Sequence, residues 1–351
     1  MISSNLFNTR KPIAVIGSGS FGTAIAQLIA ENYPVLFYTR NRETYNNMTA
    51  THTHNEIALH KNIIPSYDLA DTLARTDLLY FTIPSKSYPE LLKVASPYLN
   101  PSQIIIHGTK GLVVNNELSL TKKLDLMDVH TISDLIYRET PVLKVGCISG
   151  PNLAHELYEG HPAATVVASH FGQVIKACQV AIKTSRFQVF GSYDIRGVEL
   201  AGVLKNVISI ASGMVAGLGF GENTKALLIS RGLIEMIRIA SYLGAETNSF
   251  FGLAGIGDLI ATCMSPYSRN YTVGYRLAKG ESLDQILNTM NEVAEGVSTT
   301  KIAHIIAYQN KLHAPIIAAI YDVLYESLSI QDAISRLMAY PMTRDVDIAL
   351  D

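Results

Sequence analysis

At 351 residues the chain is long enough for two domains with sizeable cores. Its 28 basic and 30 acidic residues give a formal net charge of −2, without the basic excess that a nucleic-acid partner demands. Hydrophobic residues at 48% and charged residues at 17% exclude a disordered chain and predict a core-rich globular protein. Cys147, Cys178 and Cys263 are widely spaced and form no CxxC pair, which points to a reducing compartment. The opening "MISSNLFNTRKP" lacks the apolar run of a signal peptide. The expectation is a cytoplasmic protein.

The first predicted strand is "IAVI", residues 13–16, a short apolar run of the kind buried in parallel sheets. "SFGTAIAQLIAEN" follows as a helix with Ile25, Leu28 and Ile29 on its apolar face. Further strands are predicted at "VLFYT" (35–39), "DLLYFTIP" (77–84), "QIIIHGT" (103–109), "KVGCISG" (144–150) and "ATVVAS" (164–169). Strands alternating with helices predict a Rossmann-like, doubly wound α/β domain. The stretch 124–140 reads as a surface excursion between two strands. From about residue 193 strand-like runs almost vanish, and helical spacing covers 194–217, 223–243, 283–291, 297–309 and 315–338. The expected domains are therefore residues 1–192, dinucleotide-binding, and 193–351, all-helical and carrying the substrate and catalytic residues. The apolar stretch near 200–219 is interrupted by Lys205, Asn206 and two serines, so it reads as a buried helix and not a membrane span.

"VIGSGSFGTA" sets Gly17, Gly19 and Gly22 in G-x-G-x-x-G spacing, between a buried strand and a helix. Gly17 permits the tight turn, Gly19 lets backbone approach a pyrophosphate, and Gly22 lets helix and strand pack closely. The helix start then offers N–H groups and the positive end of its dipole. The second strand ends in "FYTRNRE", with Arg40 and Arg42 where an acid would bind the ribose of NAD; Glu43 comes late. An arginine fork suits a 2′-phosphate, so NADP(H) is slightly favoured over NAD(H).

Three further strands end in unusual loops: "FTIPS", "HGTKG" with Lys110, and "ISGPN" with Gly150 and Asn152. Carboxyl ends of strands in such sheets face the ligand crevice. In the helical half, "GLAGIGDLIATCMSPYSRN" holds Asp258, Thr262, Ser268, Arg269 and Asn270; hydroxyl, guanidinium and amide together suit a phosphate or carboxylate. "GVLKNVISI" sets Lys205 and Asn206 in an apolar run. Lysine rarely enters a core without a partner. Its helical neighbours Ala201, Gly202, Ile208 and Ser209 are small or apolar, so desolvation lowers its pKa, and Lys110 nearby would lower it further. Asp258, if adjacent, pushes the other way. Such a lysine is a good general acid–base group, with Asn206 holding it or the substrate by hydrogen bonds. "THTHNE" carries His52 and His54 without further metal ligands and reads as a surface loop; no metal is expected. His107 and His155 read as ordinary packing or surface residues.

The blocks "IGSGSFGTA", "TKG", "SGP…A.E", "LKNV", "GLGFGENTKALLISRG", "GIGDL", "SRN" and "EG…T" resemble, in order, the bacterial NAD(P)-dependent sn-glycerol-3-phosphate dehydrogenases over about residues 12–335. The resemblance implies a Rossmann-like domain followed by a helical one. It also implies interconversion of dihydroxyacetone phosphate and sn-glycerol 3-phosphate for phospholipid synthesis, and a homodimer. It implies that Ser20, Phe21, Arg40 and Ala154 contact the dinucleotide, with Val293 and Glu295 at its nicotinamide end and Arg269 also in reach. Lys110 would lie between cofactor and substrate. Gly150, Asn152, Asn206, Asp258, Thr262, Ser268, Arg269 and Asn270 would line the phosphorylated three-carbon substrate, and Lys205 would be the proton acceptor. Two positions depart from the family: Asn152 stands where serine or threonine is usual, and Tyr271 where a basic residue is usual. A 3-hydroxyacid dehydrogenase of the same plan is separated by "SRN" with Asp258. A nucleotide-sensing protein without turnover has no need of Lys205, Asp258 and Arg269 together.

Overall fold

The computed structural model describes residues 7–8, 11–114, 124, 126–290 and 292–339. The chain divides into two compact units. One takes the described residues up to Thr109 and those from His130 to Ile195; the other takes the described residues from Lys110 to Val129 and from Arg196 onward.

The first unit is built on eight strands: β1 (Ile13–Ile16), β2 (Val35–Tyr38), β3 (Ile63–Ser66), β4 (Leu78–Phe81), β5 (Ile104–His107), β6 (Lys144–Ser149), β7 (Ala163–Ala168) and β8 (Phe187–Ser192). They form one sheet in the order β8-β7-β6-β5-β4-β1-β2-β3. Neighbours run parallel except β6 and β7. The chain leaves β1 toward β2 and β3 on one side and returns to β4 on the other. Topology therefore reverses beside the carboxyl end of β1, where open α/β sheets hold ligands. Helix α1 (Ser20–Ala30) follows at once, with Ile25, Leu28 and Ile29 buried as their spacing predicts. The edge strands β3 and β8 have no clear sequence signal. β3 carries Pro65, which an edge tolerates because one side of the strand needs no ladder donor.

The expectation for 124–140 is corrected. Its second half is helix Ile132–Glu139, which joins the parallel strands β5 and β6 and buries Ile132, Leu135 and Ile136. Thr131 and Asp134 close a capping box at its start, a pattern that marks a helix and not a loop. Val129 is buried in the second unit's core with Leu112, and the Leu124 amide donates to Gln309 Oε1 at 2.8 Å. Residue 125 lies outside the described residues.

The second unit is helical. Its central helix, Ile195–Gly217, is long and apolar enough to cross a membrane, yet 94% of its most apolar window is buried inside the protein. It is a core helix, as the interrupting polar residues predict. Helix Glu222–Tyr242 packs into the same core. The continuous pattern over 315–338 resolves into two helices, Pro315–Tyr325 and Ile330–Met338. Ser327 between them takes a left-handed φ of 57°, and Ser329 caps the second by accepting the Asp332 amide. Glu235, 2% exposed, accepts the backbone N–H groups of Ile316 and Ile317 at 2.8 and 2.9 Å, and so caps the first helix from a neighbouring one. Helices Asp258–Met264 and Arg269–Ala278 lie between these elements.

Close backbone contact fixes helix Arg269–Ala278 against the central helix. A Cβ at Gly274 would overlap the Ile210 carbonyl oxygen, and one at Gly213 would overlap the Tyr271 carbonyl oxygen. Both overlaps involve backbone, which no side-chain rotation relieves. Gly274→Ala is therefore expected to lower stability by about 1–3 kcal/mol. Urea unfolding checks this, and an unchanged midpoint would mean that the two helices part without cost.

Candidate active site

In the second unit the centre forms around Asp258, the first residue of helix Asp258–Met264. The preceding turn, Leu253–Gly257, is one turn of π-helix, and a Cβ at Gly255 would overlap the backbone of Phe250. Only glycine lets that turn close, and the closed turn delivers Asp258 to the central helix. There Lys205 Nζ donates to Asp258 Oδ1 at 2.5 Å and also to the Thr262 hydroxyl. Thr262 stands one turn after Asp258 and donates to the same Oδ1 at 3.3 Å. Lys110 Nζ donates to Asp258 Oδ2 at 2.6 Å, so one carboxylate bridges two ammonium groups. Lys205, Asp258 and Thr262 are buried, whereas the Lys110 side chain keeps 22% of its surface exposed.

The electrostatics follow from burial and sign. Desolvation brings the Lys205 pKa down to about 8; the Lys110 charge lowers it too, while Asp258 resists. The two lysines hold the Asp258 carboxyl below its usual range despite its burial. Burial pushes the neighbouring Cys263 thiol up to about 12, so it stays protonated.

The remaining predicted residues of this unit attach to the same framework. Asn206 Nδ2 donates to the Lys110 carbonyl at 3.3 Å and fixes the start of that segment. Ser209, one turn beyond Lys205, donates to the Thr262 carbonyl at 3.2 Å and pairs with the Ser268 hydroxyl at 3.0 Å. Ser268 caps helix Arg269–Ala278. Asn270 Oδ1 accepts the Gly296 amide at 2.9 Å, at the first turn of helix Glu295–Gln309, which Glu295 opens. Arg269 Nη1 donates to the Val293 carbonyl at 3.0 Å and lies 3.4 Å from Glu292, with about half of its side chain exposed. Val293 is itself exposed. Ser268 and Asn270 therefore serve the local fold through the atoms named, and Arg269 presents its charge outward. Tyr271 stacks on Tyr275 with ring centroids 6.4 Å apart. The spacing of Ser209 on the Lys205 face was the one available signal of its place in this network.

In the first unit, Gly17 lies at φ 116°, where a Cβ would stand 2.8 Å from Ile83 Cγ2 and 2.9 Å from the Thr82 carbonyl oxygen. A Cβ at Gly22 would overlap the Gly17 carbonyl oxygen, and one at Gly19 would meet nothing within 4 Å. The loop thus packs tightly at both ends and opens at its middle, and no side chain caps α1. This cradle fits a pyrophosphate. Phe21 lies against Gly108, where any Cβ would collide with its ring. Arg40 is exposed directly after β2, next to buried Thr39. Gly150 follows β6, and Asn152 Nδ2 donates to the Ala164 carbonyl at 2.9 Å, so its amide braces the turn. Ala154 opens the short helix Ala154–Tyr158. His107 is buried against Ser133, and His155 is exposed beside Glu159.

The glycine cradle of the first unit fits a dinucleotide, the mark of a nicotinamide-dependent oxidoreductase. Models of the NAD-dependent glycerol-3-phosphate dehydrogenase N-terminus and C-terminus match residues 12–174 and 194–335, and the chain belongs to that family. It is 40% identical over 343 residues to glycerol-3-phosphate dehydrogenase [NAD(P)+] of Pseudomonas putida, covering 96% of this chain and 97% of that one. The like-named Saccharophagus degradans protein is 35% identical, covering 98% and 94%. The crystal structure of glycerol-3-phosphate dehydrogenase from Coxiella burnetii superposes with a TM-score of 0.84 at 29% identity, covering 94% of this chain and 99% of that one.

The two charges on Lys205 pull its proton in opposite directions. Lys110→Met is expected to raise the pH at which Lys205 deprotonates above about 8, and Asp258→Asn to lower it. A titration followed by ¹⁵N-lysine NMR reads both. Shifts of the same sign would show that the ion pairs are not what sets the value.

Proposed function

We propose that this chain reduces dihydroxyacetone phosphate to sn-glycerol 3-phosphate and runs the reverse reaction, using the Lys205–Asp258–Lys110 centre. The observation that carries the reading is the buried Lys205 ammonium on a carboxylate that Lys110 shares. With a pKa of about 8, Lys205 is poised near neutral pH to give a proton to the ketone oxygen and to take it back from the alcohol. When bound, the nicotinamide cofactor supplies the hydride chemistry at the carbon that bears this oxygen. Asp258 orients the ammonium and keeps it from being lost to desolvation. Lys110, the less buried of the two lysines, adds positive charge for a doubly anionic substrate and for the developing alkoxide. Arg269 is the forked cation for the substrate phosphate, with Val293 and Glu292 setting its direction. Asn206, Thr262, Ser268 and Asn270 are the further substrate residues of the second unit, and Gly150 and Asn152 those of the first.

Gly17, Gly19, Ser20, Phe21 and Gly22 hold the dinucleotide, with Ala154 as a further contact in the same unit; Val293 and Glu295 are the cofactor residues that the family resemblance assigns in the second. Arg40 reads the 2′-phosphate, which favours NADP(H). The domain assignment, residues 1–192 for the cofactor and 193–351 for the substrate and catalysis, belongs to this reading, with Lys110 contributed to the second unit from outside its span. The three cysteines, buried and not in disulfides, support a cytoplasmic setting. Supply of glycerol 3-phosphate to phospholipid synthesis and assembly as a homodimer follow from the family resemblance.

Two variants test the assignment. Lys205→Met is expected to fold, bind NADPH and lose roughly 10² to 10⁴ in turnover, the size of a general acid–base contribution. A folded variant with near-parent turnover would remove Lys205 from the chemistry. Arg40→Asp is expected to swing the ratio of kcat/KM for NADPH and NADH toward NADH. An unchanged ratio means that Arg40 does not read the phosphate.

A further inference from the structure

The carbonyl groups on either side of Gly19 are each held by a side chain from another part of the first unit. His54 Nε2 donates to the Ser18 carbonyl at 2.7 Å, and the Tyr158 hydroxyl donates to the Ser20 carbonyl. His54 sits in a small hairpin, Thr53–His54 paired with Ile57–Ala58, turned by Asn55 and Glu56 at φ 50° and 63°. Two consecutive residues at positive φ are what a tight two-residue hairpin demands. The His54 ring also meets Phe37 of β2 edge-on, with centroids 6.0 Å apart. Tyr158 ends the short helix that Ala154 opens. The Ser18 hydroxyl donates to Thr39 Oγ1 at 2.9 Å, which ties the loop to the end of β2 beside Arg40.

We propose that His54 and Tyr158 are positioning residues that set the anion-binding face of the glycine loop. The argument is one of peptide geometry. In a planar trans peptide the C=O and the following N–H point in opposite directions. Drawing the Ser18 oxygen toward His54 turns the Gly19 N–H the other way; the Ser20–Phe21 peptide opens α1, and the Tyr158 hydroxyl holds that first turn in place by its Ser20 carbonyl. Gly19 is the loop's most permissive residue, exposed and with open space where a side chain would stand. Left to itself, such a loop samples many peptide orientations. Two donors gripping the flanking carbonyls restrict it before any ligand arrives, and preorganisation of this kind appears as affinity. The inference rests on the loop being the pyrophosphate site, and it assigns a role to two residues outside the glycine motif. Neither residue touches the reacting atoms, so the effect belongs in cofactor binding and not in turnover.

Calorimetric titration of the full chain with NADPH tests this, with adenosine 2′-phosphate, which lacks the pyrophosphate, as a second probe. Tyr158→Phe removes only the hydroxyl, and His54→Ala removes the ring. Each is expected to weaken NADPH about three- to tenfold, the size of one neutral hydrogen bond. His54→Gln, which keeps an amide donor, should recover most of the loss. Binding of adenosine 2′-phosphate and kcat at saturating NADPH should stay within about twofold of the parent. Unchanged NADPH affinity in both Tyr158→Phe and His54→Ala overturns the clamp while leaving the dinucleotide site intact. Equal losses for both ligands overturn it too, since a general disturbance of the unit is then the cause. A parent chain that binds neither NADPH nor NADH overturns the dinucleotide assignment and the clamp with it.

Discussion

A lysine ammonium buried at the centre of a helical core is the constraint around which the second unit is organised. Removing such a charge from water costs several kcal/mol unless a partner and hydrogen bonds replace the solvent. Asp258 is that partner, and Thr262 supplies the additional acceptor. Lys110 then makes the cluster cationic, two ammonium groups on one carboxylate. An excess of like charge in a dry place favours release of a proton. Lys205, the more buried of the two lysines, has its pKa brought down to about 8. The same burial that makes the Lys205 ammonium costly to place is what lowers its pKa.

Precision in that arrangement comes from helix placement more than from the side chains themselves. Asp258 reaches Lys205 because a glycine-dependent π turn closes ahead of it. The far end of its helix is held by Ser209 and Ser212, which donate to the carbonyls of Thr262 and Cys263. Ser209 extends the same network to Ser268 and so to the helix that begins with Arg269. Because Gly213 and Gly274 bring backbone directly against backbone, no flexible side chain separates the two helices at their crossing. Small changes there are felt at the Lys205–Asp258 pair and at Arg269 together.

How much of this the sequence carried depended on the range of the interaction. The glycine spacing, the strand before it and the helix after it are local, and the structure reproduces them closely. Asp258 beside Lys205, 53 positions away in sequence, was open from the residues alone and entered only as a condition. The edge strands β3 and β8 went unread because half-exposed strands lack a continuous apolar run. Helix Ile132–Glu139 was missed for a different reason: only its capping box announces it, and its neighbourhood is otherwise mixed. The break at Ser327 hides inside an unbroken apolar period, since a single left-handed residue leaves no trace in hydropathy. "THTHNE" has the composition of a surface loop, and nothing in its spacing reveals that His54 reaches the Ser18 carbonyl.

The cap that Glu235 places on helix Pro315–Tyr325 has a consequence in proton linkage. Burial pushes this carboxyl up to about 7, even though the Ile316 and Ile317 amides favour its charged form. In the unfolded chain the same carboxyl ionises in its ordinary range near 4.5. Between those two values the folded protein holds a proton that the unfolded chain has released. Folding therefore takes up a proton at Glu235 in that window, and this group's contribution to stability declines as pH rises through it. Above about 7 the carboxylate is charged in both states and the decline stops. Near neutral pH, a small acidification strengthens Glu235's contribution to the fold, while Lys205, whose pKa folding lowers to about 8, is linked in the opposite sense.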